Sequence, residues 1–146
     1  NSIKKAKALA DRTNYMVIAD DSGLFVDSLN GEPGVHSSRY AGEEGNDSKN
    51  NEKLINALKN IDNRKAAFKA VIALITEDKD LYTVEGVCPG KIAYELQGDN
   101  GFGYDPLFIP DGYDSSFAEL GEELKNQISH RSKALSKLKK LLEKLD

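Results

Sequence analysis

Apolar residues along this chain follow two different spacings, and each spacing marks its own kind of element. From Asn1 to Arg12, Ile3, Ala6, Leu9 and Ala10 share one side of a helical repeat with lysines opposite, predicting an amphipathic helix that ends at Thr13–Asn14. Val17-Ile18-Ala19 is a short β-branched run that suits a buried strand. Asp20-Asp21-Ser22-Gly23 follows, where the strand is expected to end and Gly23 to turn the backbone before a second apolar run, Leu24-Phe25-Val26. Ser28 to Gly34 is dense in turn formers and reads as a loop, and His36 to Gly42 as a polar connection. A helix is predicted over Asp47–Lys59, capped by Asp47 or Ser48, with Leu54, Ile55 and Leu58 inward and its Asn and Lys residues on an exposed face. Ala66 to Thr76 is the longest apolar stretch and predicts a central strand. Leu81–Cys88 and Lys91–Leu96 predict two more strands, joined as a hairpin by Pro89-Gly90. Leu107-Phe108-Ile109 reads as a short strand and Phe117–Leu124 as a brief helical turn. Ser129 caps a last helix, Ser132–Leu145, that turns Leu135, Leu138, Leu142 and Leu145 inward. This order of strands and helices predicts an α/β fold with a mixed sheet flanked by helices, in a single domain over residues 1–146.

Composition narrows the function classes. A chain of 146 residues with 39% hydrophobic and 30% charged residues can bury a core and has the make-up of a soluble globular protein. A formal charge of −4 argues against a stable nucleic-acid complex, which calls for a basic footprint. The charge is uneven, however: from Ser129 onward the chain carries +4, and the rest −8. Cys88 is the one cysteine, so no intrachain disulfide forms and a reducing compartment is expected. Without a signal peptide or an apolar run of spanning length, the expectation is a cytoplasmic protein with no membrane partner.

Three stretches carry candidate chemistry. Adjacent carboxylates at Asp20 and Asp21 repel, a cost that a hard divalent cation such as Mg²⁺ would relieve; the plainer reading is a polar turn. Arg39 could bridge to these carboxylates or to phosphate, or pair with Glu43 or Glu44 on the surface. Gly98 to Pro106 holds Gly101 and Gly103 beside Phe102 and Tyr104, so its backbone can approach a ligand closely and its aromatics could stack on a base. Its glycine order is not the dinucleotide fingerprint, and a glycine-rich turn with aromatics folded onto the core is the competing reading. Lys125, His130 and Arg131 gather near a helix N-terminus, which favours an anionic or carbonyl-bearing ligand.

Taken together, Ala19-Asp20-Asp21-Ser22-Gly23-Leu24, Pro33-Gly34 with Ser38 to Gly42, Gly101 to Pro106, and Lys125 with Ser129-His130-Arg131 resemble the inosine triphosphate pyrophosphatases. That family hydrolyses non-canonical purine nucleoside triphosphates (ITP, dITP, XTP) to monophosphate and pyrophosphate. The resemblance implies a two-lobed α/β fold around a long mixed sheet, a Mg²⁺ cofactor, a purine nucleoside triphosphate substrate and a homodimer. It implies that Asp21 accepts the proton, that Asp20 and Asp21 hold the metal, and that Ser22, Phe102, Gly103, Tyr104, Asp105, Lys125, His130 and Arg131 contact substrate. It also implies that roughly fifty residues of the family pattern precede Asn1, including a first strand, a phosphate loop with its lysine and a metal-binding glutamate. Hence the expectation that this chain alone is a poor catalyst, with a nucleotide-binding fragment as the alternative reading.

Overall fold

The apolar run after residue 65 becomes the middle of the sheet. A computed structural model describes residues 2–10 and 16–145 and forms that run into β3 (Lys65–Ile75). Its neighbours are β1 (Val17–Val26) and β4 (Leu81–Ile92); with the short strands β2 (Pro33–Gly34) and β5 (Phe108–Pro110) they make a five-stranded sheet in the order β2-β1-β3-β4-β5. Each pairing is antiparallel, and the parallel pairs of a mixed sheet are not among the described residues. Alternation along β3 explains its unbroken apolarity. Ala73 and Ile75 pack with Val17 against Ala6 of α1 (Ser2–Ala10), while Ala70, Ile72 and Leu74 pack against Ala134 and Leu138 of α5 (His130–Leu145). Beside α5, Leu24, Val26, Phe108 and Phe117 form the main core with Leu54 of α2 (Asp47–Ala57) and Leu58 just beyond it. The α/β architecture with helices on the sheet is therefore the one expected. The ends expected for the first helix, Asn1 and Arg12, and its stop at Thr13–Asn14 lie outside the described residues, as do the side chains of Leu9 and Ala10.

Several boundaries differ from expectation, each for a local reason. β1 does not end at the acid pair but continues through Asp20, Asp21 and Gly23 to Val26, hydrogen-bonded to β3 throughout. Gly23 supplies close approach instead of a turn, because a Cβ there would strike the carbonyl of Gly34 in β2. β4 likewise runs through Pro89-Gly90, and Ala93 to Leu96 leave the sheet. Asp111 N–H donates to the Pro89 carbonyl (3.0 Å), so the imide nitrogen of Pro89 faces the same side, where β5 has already ended. The hairpin lies one strand earlier, between β3 and β4, around Lys79 at φ +68°.

Asn46, not Asp47 or Ser48, caps α2 by accepting from Lys49 N–H (3.1 Å). Asn50 and Asn51 are buried, against the expected exposed face. Phe117–Leu124 splits into α3 (Phe117–Leu120) and α4 (Glu122–Ile128) around Gly121 at φ +92°. Ser129 caps α5 as expected, accepting from Ser132 N–H (3.2 Å). Its inward stripe is Ala134, Leu138, Leu141 and Leu142, whereas Leu135 is 57% exposed and Leu145 is exposed too. Gly86 sets that rotation: α5 approaches β4 so closely there that a Cβ would meet the carbonyl of His130 and the amide of Ala134. Only a small residue fits opposite, so Ala134 takes the contact.

Arg64 joins the far end of this frame. Buried and stacked 4.2 Å from the centroid of Tyr94, it donates to the carbonyls of Leu58, Ile61, Ile92 and Ala93. No helix among the described residues is long and apolar enough to cross a membrane.

Candidate active site

Because β1 is extended where the acids stand, Asp20 and Asp21 leave it on opposite faces. Asp20 meets Arg131 of α5, with Nη2 to Oδ2 at 3.4 Å. Asp21 meets Lys5 of α1, whose Nζ lies 3.8 Å from Oδ1 and also donates to the Asp20 carbonyl at 3.4 Å. Lys5 escaped the sequence reading because it is one of several lysines on the polar side of its helix; only the strand beneath it singles it out. β2 pairs with β1 only at Leu24 and Phe25, and from Val17 to Gly23 that edge has no strand partner among the described residues.

Two cavities adjoin along this edge. The larger, about 460 Å³, is lined by Phe102, Gly103, Tyr104, Asp105, Lys125, His130 and Arg131. The smaller, about 290 Å³, includes Ser2, Lys69, Val71 and Glu85. Asp21, Ser22, Gly23 and Val35 belong to both walls. The Ser22 hydroxyl is buried there with no hydrogen-bond partner, a cost a ligand would remove. All the expected substrate-contacting residues thus line the larger cleft; Asp20 reaches it only through Arg131.

The far wall of the larger cleft is the glycine loop. Gly101 and Gly103 sit at φ +83° and +61°, left-handed conformations that suit glycine. Asp105, 3% exposed, accepts from Phe102 N–H (3.1 Å) and from Lys125 Nζ (2.7 Å). The two aromatics have different fates. Tyr104 is buried and donates its hydroxyl to the Ser37 carbonyl (2.6 Å), with burial pushing its pKa up. Phe102 stays 64% exposed, with Lys125 Nζ 4.0 Å from its ring centroid, and is the aromatic this cleft offers a flat ligand. His130 stacks on Phe68 (4.9 Å between centroids, 13° between planes). Burial first, then the cations of Arg131 and Lys125, push its pKa down to about 4, so it is neutral at neutral pH. Its Nδ1 is a second buried polar atom without a partner. Arg39 stays outside, against His36 at 3.1 Å, while Ser38 takes Glu44 and Lys49 takes Glu43.

Among the described residues no group of three or more His, Cys, Asp or Glu side chains is placed to hold a metal. Mg²⁺ asks less than that, since it binds through one or two carboxylates and completes its shell with water and phosphate. Asp21, partly exposed beside the unpartnered Ser22 hydroxyl on the wall of both cavities, fits this requirement. The two adjacent carboxylates do not form the expected single strand-end cluster, because the strand sends them apart.

The pattern for the Ham1 family matches residues 1–141. The chain belongs to the Ham1 family. Among Ham1 relatives, the dITP/XTP pyrophosphatase of Clostridium tetani is 51% identical over 145 residues, 97% of this chain and 72% of the relative. That of Bacillus subtilis is also 51% identical, over 98% of this chain and 73% of the relative. The structure of the Staphylococcus aureus Ham1 protein superposes with a TM-score of 0.95 at 46% identity, covering 99% of this chain and 76% of that one. A HAM1 protein from Coxiella burnetii gives 0.92 at 42% identity, covering 98% and 75%.

Proposed function

We propose that the protein hydrolyses non-canonical purine nucleoside triphosphates, dITP, XTP and ITP, to monophosphate and pyrophosphate, and so clears the nucleotide pool of them. The observation that carries this reading is the shared wall Asp21–Gly23, which stands between a cleft that offers Phe102, Lys125 and Arg131 and a second cavity in which Asp21 faces Lys69. Relatives about half identical over nearly the whole chain carry the name dITP/XTP pyrophosphatase, and they give no support to a non-catalytic fragment.

On this reading the α-phosphorus lies across the Asp21–Gly23 edge, between nucleoside and leaving pyrophosphate. Asp21 would hold Mg²⁺, with Asp20 adding negative charge from the other face of the strand, and the ion would supply neutralisation of the polyphosphate. Asp21 takes the proton of the attacking water. Lys5, already beside Asp21, exchanges that weak pairing for phosphate oxygens. At the other end Phe102 stacks on the purine, while Arg131 donates to a 6-oxo group. Adenine presents an amino donor at that position, leaving donor facing donor, and is rejected. Neutral His130 adds no positive charge beside the base. The homodimer implied by the resemblance and the cytoplasmic location expected from the sequence complete the proposal, the first to be checked by sedimentation.

The deciding experiment supplies dITP and Mg²⁺ in ¹⁸O-water. Pyrophosphate with label in the monophosphate is expected. Sequential release of phosphate, or label in pyrophosphate, would refute attack at the α-phosphorus.

A further inference from the structure

The glycine loop is anchored from α2, whose Asp47 and Asn50 also reach the wall of the larger cleft. Gly103 N–H donates to Asp47 Oδ2 (2.9 Å), and Gly103 C=O accepts from Asn51 Nδ2 (3.0 Å). Asp47 and Asn51 are four apart on α2 and so present one face, one turn above the other. Asn46 has already taken the capping role, which leaves the Asp47 carboxylate for a contact outside its own helix.

Position 51 makes the case sharper. It is 5% exposed on the face that carries Leu54 into the core, where an aliphatic side chain would bury at no polar cost. Asn51 instead keeps its Oδ1 buried without a partner while its Nδ2 holds Gly103. The neighbouring residues are tied from other directions, Phe102 N–H by Asp105 and the Tyr104 hydroxyl by Ser37. The result is a backbone held on both sides of a phenyl ring that is itself exposed.

We propose that Asp47 and Asn51 are positioning residues: by gripping both polar groups of Gly103 they fix Phe102 as a preorganised platform for the nucleobase. This rests on the reading of the cleft as a purine site. A ring already in place saves the ordering cost that a mobile loop would incur on each binding event, so the grip acts on substrate affinity and leaves the chemical step alone.

The test follows Gly103 amide exchange and dITP kinetics in Asp47→Ala and Asp47→Asn, each with and without Phe102→Ala. Asp47 is exposed, so these variants keep the core. In Asp47→Ala the Gly103 amide should exchange faster, and KM should rise about tenfold with kcat within about threefold. Asp47→Asn, which keeps an oxygen acceptor but no charge, should recover most of both. In the Phe102→Ala background Asp47→Ala should add little, because the platform is already gone. Unchanged exchange, an unchanged KM, a loss confined to kcat, or a full additive effect without Phe102 would each overturn the proposal. Absence of dITP turnover in the parent chain is a different failure, that of the assigned reaction. The Gly103 exchange rates and the affinity for IMP across the same variants then judge the grip by themselves.

Discussion

The two ends of the cleft are built to different tolerances. At the nucleobase end, Lys125 and Asp105 meet at 2.7 Å with side chains 12% and 4% exposed, and the loop they support is tied at Phe102, Gly103 and Tyr104. At the phosphate end, Lys5 stands 3.8 Å from Asp21, with side chains 58% and 27% exposed; between the two ends Arg131 meets Asp20 at 3.4 Å, both 58% exposed. A buried pair with short contacts defines a shape, whereas long exposed pairs are worth little and exchange readily for other partners. The difference teaches where each kind of selectivity is made. Stacking a base asks for a fixed platform; receiving a flexible polyphosphate with its metal asks for charges that can re-pair.

The largest expected effect removes chemistry while sparing both ends. Asp21→Asn keeps the shape of the shared wall, and kcat should fall about a thousandfold with dITP affinity within about threefold. Steady-state rates beside equilibrium binding check this, and near-normal turnover would strip Asp21 of its role. Lys125→Met strikes the rigid end, leaving the Asp105 carboxylate buried without its cation; urea unfolding should show a loss of about 3 kcal/mol. A loss under about 1 kcal/mol would mean that the base end is no tighter than the other.

His130 links this contrast to pH. Folded, its pKa is lowered to about 4 from an ordinary 6.5, so below about pH 6.5 the unfolded chain takes up a proton that the folded chain refuses. Its contribution is complete above that pH and falls as the pH drops towards 4, by roughly 3 kcal/mol in all. Unfolding midpoints at pH 7 and pH 5 should show that slope, and His130→Gln should flatten it. Arg131→Ala should shrink the preference for ITP over ATP by about tenfold, measured as a ratio of kcat/KM values. Asp20→Asn, which breaks the exposed pair alone, should change stability by less than about 1 kcal/mol.

What the sequence disclosed follows the same division. The strand at Lys65–Ile75, the strand at Phe108 and the Ser129 cap were legible because periodicity and capping are local properties. The residues expected to contact substrate stood in polar or glycine-rich motifs that announce themselves, whereas Asp47, Asn50, Phe68 and Phe117, which also line the larger cleft, carried no such mark. The misses concern backbone that tertiary contact overrides. Asp20, Asp21 and Gly23 look like a turn until β3 pairs with every one of them. Pro89-Gly90 looks like a hairpin until β5 stops short of the missing N–H. Asn50 and Asn51 read as surface residues because their partners, Ala41, Ser38 and Gly103, are far along the chain. Leu135 satisfied the helical stripe, but Gly86 rotated the helix towards Ala134.

Arg64 gives the frame a property its cleft does not share. Its guanidinium is held by the carbonyls of Leu58, Ile61, Ile92 and Ala93, none of which can gain or lose a proton, and arginine itself keeps its charge at any pH a cell meets. The joint between the end of α2 and the end of β4 is thus blind to acidity, while His130 at the cleft is not. On acidification the folded pocket keeps its neutral imidazole until the pH nears 4, and only there does its charge change, while the bonds around Arg64 are untouched. Such an enzyme would keep its fit through mild acid and lose it only near pH 4, at the cleft and not at the joint that Arg64 secures.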